Sequence, residues 1–276
     1  MDMRRRTTTI NTFRRATVTA AALAAITGTL AGCGQDTAGS AQWAAPAATS
    51  AAPNPKETLL AALPNETRPG FSYTIKDWET TITGEVAPKS KGVHLRLSYK
   101  EPELGFTMHM AYLTVDQQTW TKITFTETKG LTGLPKLPTK WMKLDPAKLT
   151  GDDSLPTTYE SADVAGLKPV VANTTITQGG SGKYSGTIDL SGPAATDVLS
   201  EETIAGIGDA AKKLPFEATV DAERRLTSFV VHVPTVGKTK AYDYSVTIRD
   251  YGKAPAVAVP ADTVSAPAAA YEILNG

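Results

Sequence analysis

Val93-His94-Leu95-Arg96-Leu97-Ser98-Tyr99-Lys100 alternates apolar and polar residues without a break. Successive side chains of a strand point to opposite faces, so this octet has one buried face and one wet face. The next run repeats the pattern: Leu104, Phe106, Met108, Met110 and Tyr112 alternate with Gly105, Thr107, His109 and Ala111. Further along, Tyr184, Ile188 and Leu190 alternate with polar residues, as do Phe216, Ala218 and Val220, and then Tyr242, Tyr244, Val246 and Ile248. About eleven strands follow from this periodicity, near 71–77, 79–86, 92–100, 104–115, 118–126, 140–144, 168–178, 183–190, 215–221, 226–234 and 240–251. Alternation this regular implies an antiparallel sheet covered on one face only.

Two helices are expected. Asn54-Pro55-Lys56-Glu57 supplies a cap, a proline at the first helical position and an early acid, and Pro64 stops the helix after Leu63. The longer one begins at Ser200, carries Glu201 and Glu202 at its positive end and Lys212 and Lys213 at its negative end, and stops at Pro215. Ile204, Ile207, Ala211 and Leu214 recur on one side of it. Gly206 and Gly208 each weaken it by up to ~1 kcal/mol relative to Ala. A further turn of helix is possible at Asp145-Pro146-Ala147-Lys148.

These helices are too few to cover a long apolar sheet face. The sheet must close into a barrel, fold into a sandwich, or curl around the helices and leave a cavity. A helix inserted between consecutive strands favours the third solution. The expected fold is therefore mainly β (α+β): a curved antiparallel half-barrel of about eleven strands around one or two helices. The cavity walls would come from Val93, Leu95, Leu97, Phe106, Met108 and Met110 on one side. Tyr184, Ile188, Phe216 and Val220 would form the other, with Ile204 and Ile207 of the long helix lying opposite Phe106, Met108 and Val220. Phe106, Met108 and Met110 read first as plain core and second as part of a cavity wall, because methionine is soft and adaptable in either setting. Gly130-Leu131-Thr132-Gly133-Leu134-Pro135-Lys136-Leu137-Pro138 is either a loop capping the core or a mobile lid, with Leu131, Leu134 and Leu137 as its apolar contacts.

The start of the chain has a different character. Arg4, Arg5, Arg6, Arg14 and Arg15 precede an apolar run from Ala16 to Leu30, and Leu30-Ala31-Gly32-Cys33 follows. A basic head, an apolar middle and small residues at a cleavage point form a secretory signal. With Cys33, the sole cysteine, at that point, the stretch reads as a bacterial lipobox. Residues 1–32 would be removed as a signal peptide and Cys33 would take a diacylglyceryl group. Arg14-Arg15 leaves open whether export is general or by the twin-arginine route. The apolar run is too short for a good membrane span, so the anchor is lipid. Residues 33–53 form the lipidated tether, since their Ala, Ser, Thr, Gly and Pro cannot bury enough surface to order themselves. A flexible coil of that length reaches about 25 Å. Residues 54–276 are expected to form a single domain, held to the outer face of the bacterial cell membrane.

Lysine plus arginine and aspartate plus glutamate balance at 28 each, and loss of residues 1–32 removes five Arg and one Asp. The mature chain is thus mildly acidic and has no basic stripe, which argues against a nucleic-acid partner. With Cys33 lipidated, no disulfide forms. His94, His109 and His232 each fall in the polar phase of a strand without useful ligand spacing, so no metal site is expected. Thr177-Gln178-Gly179-Gly180-Ser181-Gly182-Lys183 lacks the first glycine and the following helix of a phosphate loop, and reads as a glycine-rich hairpin. Asp152-Asp153 reads as an exposed acidic loop. Nucleophile-elbow, H-E-x-x-H and paired-cysteine motifs do not occur, so neither an enzyme nor a cofactor is expected.

The order of several local patterns resembles the LppX/LprG-type actinobacterial lipoproteins, which share the LolA-like fold. The patterns are Lys140-Trp141-Met142-Lys143-Leu144, then Gly182-Lys183-Tyr184-Ser185-Gly186-Thr187-Ile188-Asp189, then the inserted helix. Leu214-Pro215-Phe216-Glu217-Ala218-Thr219-Val220-Asp221, Arg225-Leu226 and Asp250-Tyr251-Gly252 with Pro260 complete the set. The resemblance spans roughly residues 55–265. It implies a curved antiparallel sheet wrapped around helices, a cavity for acyl chains of a lipid or glycolipid, and carriage or sensing of such a ligand at the envelope. Related folds also act as regulators that bind a membrane partner protein, which keeps an envelope protein partner as the alternative.

Overall fold

A computed structural model describes residues 54–150, 157–237 and 240–275. The segments read above as signal peptide (1–32) and lipidated tether (33–53), Cys33 among them, and Asp152-Asp153 lie outside the described residues. From Asn54 onward the chain belongs to one unit.

The helices are α1 (Pro55–Ala62), α2 (Leu167–Ala172), α3 (Glu201–Ile207) and α4 (Ala268–Leu274). The first six strands are β1 (Phe71–Lys76), β2 (Thr81–Ala87), β3 (Gly92–Glu101), β4 (Phe106–Val115), β5 (Gln118–Thr126) and β6 (Trp141–Lys143). The remaining six are β7 (Thr174–Gly180), β8 (Lys183–Ile188), β9 (Leu214–Val220), β10 (Leu226–Val233), β11 (Tyr242–Arg249) and β12 (Thr263–Ser265). All twelve join one sheet in the order β12-β6-β5-β4-β3-β2-β1-β11-β10-β9-β8-β7. It is an open, curved half-barrel with helices, at 40% strand against a usual 20–25%. Pairing is antiparallel throughout except for β12, which runs parallel to β6.

The expected alternation decides which face is covered. Phe71, Tyr73 and Ile75 of β1 lie in register with Ile248 and Val246 of β11 and with Val86, Gly84 and Ile82 of β2. These side chains are buried in one large inner cluster with Leu59 and Ala62 of α1 and Leu167, Val170 and Val171 of α2. Asn54 caps α1 by accepting from the Lys56 amide at 3.0 Å, and Ser200 caps α3 by accepting from Thr203 at 3.1 Å, both as expected. Gly84 has a steric role. A Cβ there would run into the His94 carbonyl oxygen on β3 and lie 2.7 Å from the Tyr73 ring, so only a bare α carbon fits between them.

Three features differ from the sequence expectation. Residues 168–172 are helix, not strand. Asp163 accepts from the Leu167 and Lys168 amides at 3.0 and 2.7 Å, Gly166 turns the chain at φ 60°, and Pro169 sits in the first turn where its missing N–H costs nothing. Leu167, Val170 and Val171 have helical spacing, which the β-branched pair obscured. The helix expected over 200–214 ends at Ile207. Gly208 adopts φ 58° and ψ −132°, a glycine conformation, and a 3-10 turn carries the chain to Leu214, which already belongs to β9. Finally, β12 and α4 were not anticipated. They raise the count to twelve strands and four helices.

The chain between β11 and β12 lies against the outer face. Leu113 and Trp120 are paired across β4 and β5 and sit in the phase that should be wet. Val257 covers them in a small cluster, with Trp141, Ala87 and Val115 half-buried around it. Ser90 donates to the Val257 carbonyl at 3.3 Å, and Gly92 leaves space for the Val257 side chain. This strap then enters the sheet edge as β12, and α4 packs over Ile123 and Met142 on the inner face.

Candidate functional site

The inner face is covered unevenly. On β9, β10 and β11 the residues Phe216, Val231 and Tyr244 lie in register and are buried, and Phe216 stacks on Phe229 at 5.5 Å. On β3, β4 and β5 the equivalent rows become progressively more open. Val93, Thr114 and Thr119 share the innermost row and are buried, with the two threonine hydroxyls 3.0 Å apart. Leu95, Tyr112 and Thr121 form the next row and are also buried. In the row of Leu97, Met110 and Ile123, Met110 is half-buried. In the row of Tyr99, Met108 and Phe125, all three are half-buried. Phe106 lies two residues beyond Met108 with its ring edge-on to Phe125 at 5.7 Å.

The result is an apolar strip of Tyr99, Phe106, Met108, Met110 and Phe125, flanked by two partial covers. The first is α4, whose Ala270 is buried with Ile123 and Met142 while Ile273 and Leu274 pack around them. The second is the 127–140 loop, whose Leu137 joins the same cluster. Leu131 and Leu134 of that loop are half-buried, and Gly130 and Gly133 hold φ of 84° and 87°. Tyr112 bounds the strip on its closed side. Its hydroxyl donates to Met110 Sδ at 3.5 Å, and burial pushes its ionisation well above the ordinary range.

Ten of the twelve expected cavity residues lie on this inner face. Val93, Leu95, Leu97, Phe106, Tyr184, Ile188, Phe216 and Val220 are buried, and Met108 and Met110 are half-buried. The other two, on α3, share a cluster with Val220 but not with Met108. Ile204 and Ile207 are half-buried and pack into the main cluster with Tyr242, whereas Met108 packs in the cluster beneath α4. They do not face Met108, because α3 is short and Gly206 seats it against Val236 of the β10–β11 connection. Tyr99 and Phe125 were missed. Register alone could have found them, since they flank Met108 once β3, β4 and β5 are paired. A cleft of about 730 Å³ lined by Lys148, Ala266, Ala268, Tyr271, Glu272 and Asn275 lies beside α4, and it is open and mixed in polarity.

The three histidines sit on the outer face, as their phase requires. His109 links Ser98 and Thr126 at 2.7 and 2.8 Å. His232 contacts Asp243 at 2.7 Å. His94 is more enclosed. Arg96 forks onto the buried Glu85 carboxylate, with Nη1 to Oε2 at 3.0 Å and Nη2 to Oε1. The same Nη1 lies 2.7 Å from His94 Nδ1. Nδ1 also lies 3.0 Å from Glu85 Oε2, so the ring is held between a donor, Arg96, and an acceptor, Glu85. Burial first, and then Arg96, holds His94 below its ordinary value against the opposing pull of Glu85. The ring lies edge-on to Trp141 at 5.7 Å, and Lys122 sits over Trp141 at 5.3 Å. Among the described residues no group of three or more His, Cys, Asp or Glu is placed to hold a metal ion, and no helix is long and apolar enough to cross a membrane.

No protein-family model matches this chain, and no curated protein does. The class it can be assigned is therefore the one its fold defines, an open half-barrel sheet with an incompletely covered apolar inner strip.

Proposed function

We propose that this chain is an exported envelope lipoprotein, anchored through lipid on Cys33, whose 54–276 domain binds and carries an apolar, acyl-chain ligand without catalysing a reaction. The observation that carries the reading is the half-covered row of Tyr99, Met108 and Phe125 beside the half-buried Met110. Elsewhere the inner face is closed by α1, α2 and the 193–199 turn. An apolar groove lined by aromatics and methionines suits flexible hydrocarbon, because methionine repacks around irregular shapes. Tyr99, whose hydroxyl donates to Glu101 at 3.4 Å, is the polar side chain at the open end of the strip. The lipobox and the quoted resemblance support the same setting.

The test is organic extraction of the purified protein with mass spectrometry of the extract, followed by titration of the delipidated protein with a fluorescent fatty acid. Met108→Arg puts a guanidinium on the strip and should weaken binding at least about tenfold, since an unpaired charge resists burial. A delipidated wild type that binds no fatty acid, phospholipid or glycolipid probe would end this reading.

A second reading has its own observation. Trp78 and Leu104 are 52% and 43% exposed at the tips of the β1–β2 and β3–β4 hairpins. Those hairpins leave the same end of the sheet about 10 Å apart sideways, two strand spacings, with β3–β4 reaching further out. That pair suits an envelope protein partner. A photo-crosslinker at position 78 that captures one discrete protein in intact envelopes, and loses it on Leu104→Ser, would favour this alternative.

A further inference from the structure

We infer that α4 is a hinged cover over the continuation of the apolar strip, able to leave as a unit while the sheet beneath stays paired; this rests on reading the strip as the ligand site. The residues under α4 make the case. Ile123 is 1% and Met142 0% exposed, yet both lie on the same inner face as the half-open Met108, Met110 and Phe125. Removing α4 would extend the strip across β5 onto β6 without breaking any strand pair.

Among the described residues the polar attachments of α4 are few, and its hold on the sheet is otherwise the apolar packing of Ala270, Ile273 and Leu274. Its approach is through β12, which pairs with β6 over only Thr263, Val264 and Ser265. Pro267 precedes it, and no side chain caps its first turn. Among the described residues its side-chain hydrogen bonds go to the 145–150 turn. Tyr271 Oη accepts from the Asp145 amide at 2.8 Å, Asn275 Oδ1 accepts from the Thr150 amide at 3.0 Å, and Asn275 Nδ2 donates to the Lys148 carbonyl at 3.0 Å. Lys148 also lies over the Tyr271 ring at 5.6 Å. Upstream, Val257 keeps the strap on the outer face, so a released α4 stays tethered beside the opening. Segments with few anchoring contacts open locally at lower free energy than the core, which is how a cover differs from structural packing.

The experiment is hydrogen–deuterium exchange on the full chain, wild type and Asn275→Ala, with dansyl-undecanoic acid binding measured by stopped flow on both. In wild type the 268–275 amides should exchange at least about 100-fold faster than those of β4 and β5. Asn275→Ala removes two hydrogen bonds and should accelerate 268–275 roughly tenfold further while leaving β4 and β5 unchanged. Association of the fatty acid should rise by a similar factor. Exchange of 268–275 in step with β4 and β5 would overturn the cover. So would an unchanged association rate when 268–275 exchange has risen. If wild type binds no fatty acid, the ligand reading falls by itself, and the exchange data still decide whether α4 opens as a unit.

Discussion

Replacing Gly92 with Ala tests whether the strap is held by shape. Gly92 begins β3 on the sheet, and a Cβ there would lie 2.8 Å from Val257 Cγ1, 2.9 Å from Val257 Cβ and 3.2 Å from its carbonyl oxygen. Ordinary carbon contacts are about 3.5–4.0 Å, so the strap must retreat by close to an ångström. Overpacking of this kind costs ~1–3 kcal/mol. If Val257 is instead expelled, the loss is similar, ~1.5–3 kcal/mol for exposing a buried valine. Either route predicts about 2 kcal/mol. For a domain of this size that lowers Tm by roughly 4–8 °C. Val257→Ala alone should cost ~1.5 kcal/mol for the methyl groups removed. The double variant should cost less than the two singles together, because the smaller side chain makes room for the new methyl, with a coupling of about 1 kcal/mol. The assay is thermal and urea denaturation of wild type, both singles and the double. A Gly92→Ala protein melting within a degree of wild type, or strict additivity in the cycle, would refute the account of the strap.

Other outcomes follow from the Glu85–His94–Arg96 network and from the lipobox. His94 is held below its ordinary value in the folded protein, so the unfolded chain takes up its proton first. This group's contribution to stability is complete above about pH 6.5 and is lost as pH falls through the unfolded value towards the folded one. His94→Gln should flatten that segment of the stability–pH curve, and an unaltered slope between pH 7 and 5 would count against burial and Arg96 disfavouring the charged imidazole. At the other end of the chain, Cys33→Ser should abolish incorporation of a fatty-acid label and leave the precursor uncleaved. A labelled Cys33→Ser protein would sink the lipoprotein assignment.

Much of this protein is legible in its residues because strand periodicity is local. Val93 to Lys100 and Tyr242 to Ile248 announce their buried faces without help from any partner, and the mainly β, open half-barrel follows from how little helix is available to cover them. The caps at Asn54 and Ser200 are equally local, since each involves a side chain and an amide two or three residues away. The helix at Leu167–Ala172 stood at the limit, its helical spacing masked by Val170-Val171 until Asp163 capped it. What the residues alone could not decide depended on distant partners. Thr263–Ser265 is too short to declare itself a strand and becomes one only beside β6. Leu113 and Trp120 look misplaced on a wet face until Val257 arrives from more than a hundred residues away. The candidate site belongs to this second kind. Met108 and Met110 were visible as an apolar stripe, but whether they are core or groove depended on where α3 and α4 came to rest. Gly208 ended α3 early, Gly206 seated it against Val236, and α4 stopped at Ile123 and Met142. Periodicity sets which face of a strand is apolar, whereas only packing between remote segments sets how much of that face is covered.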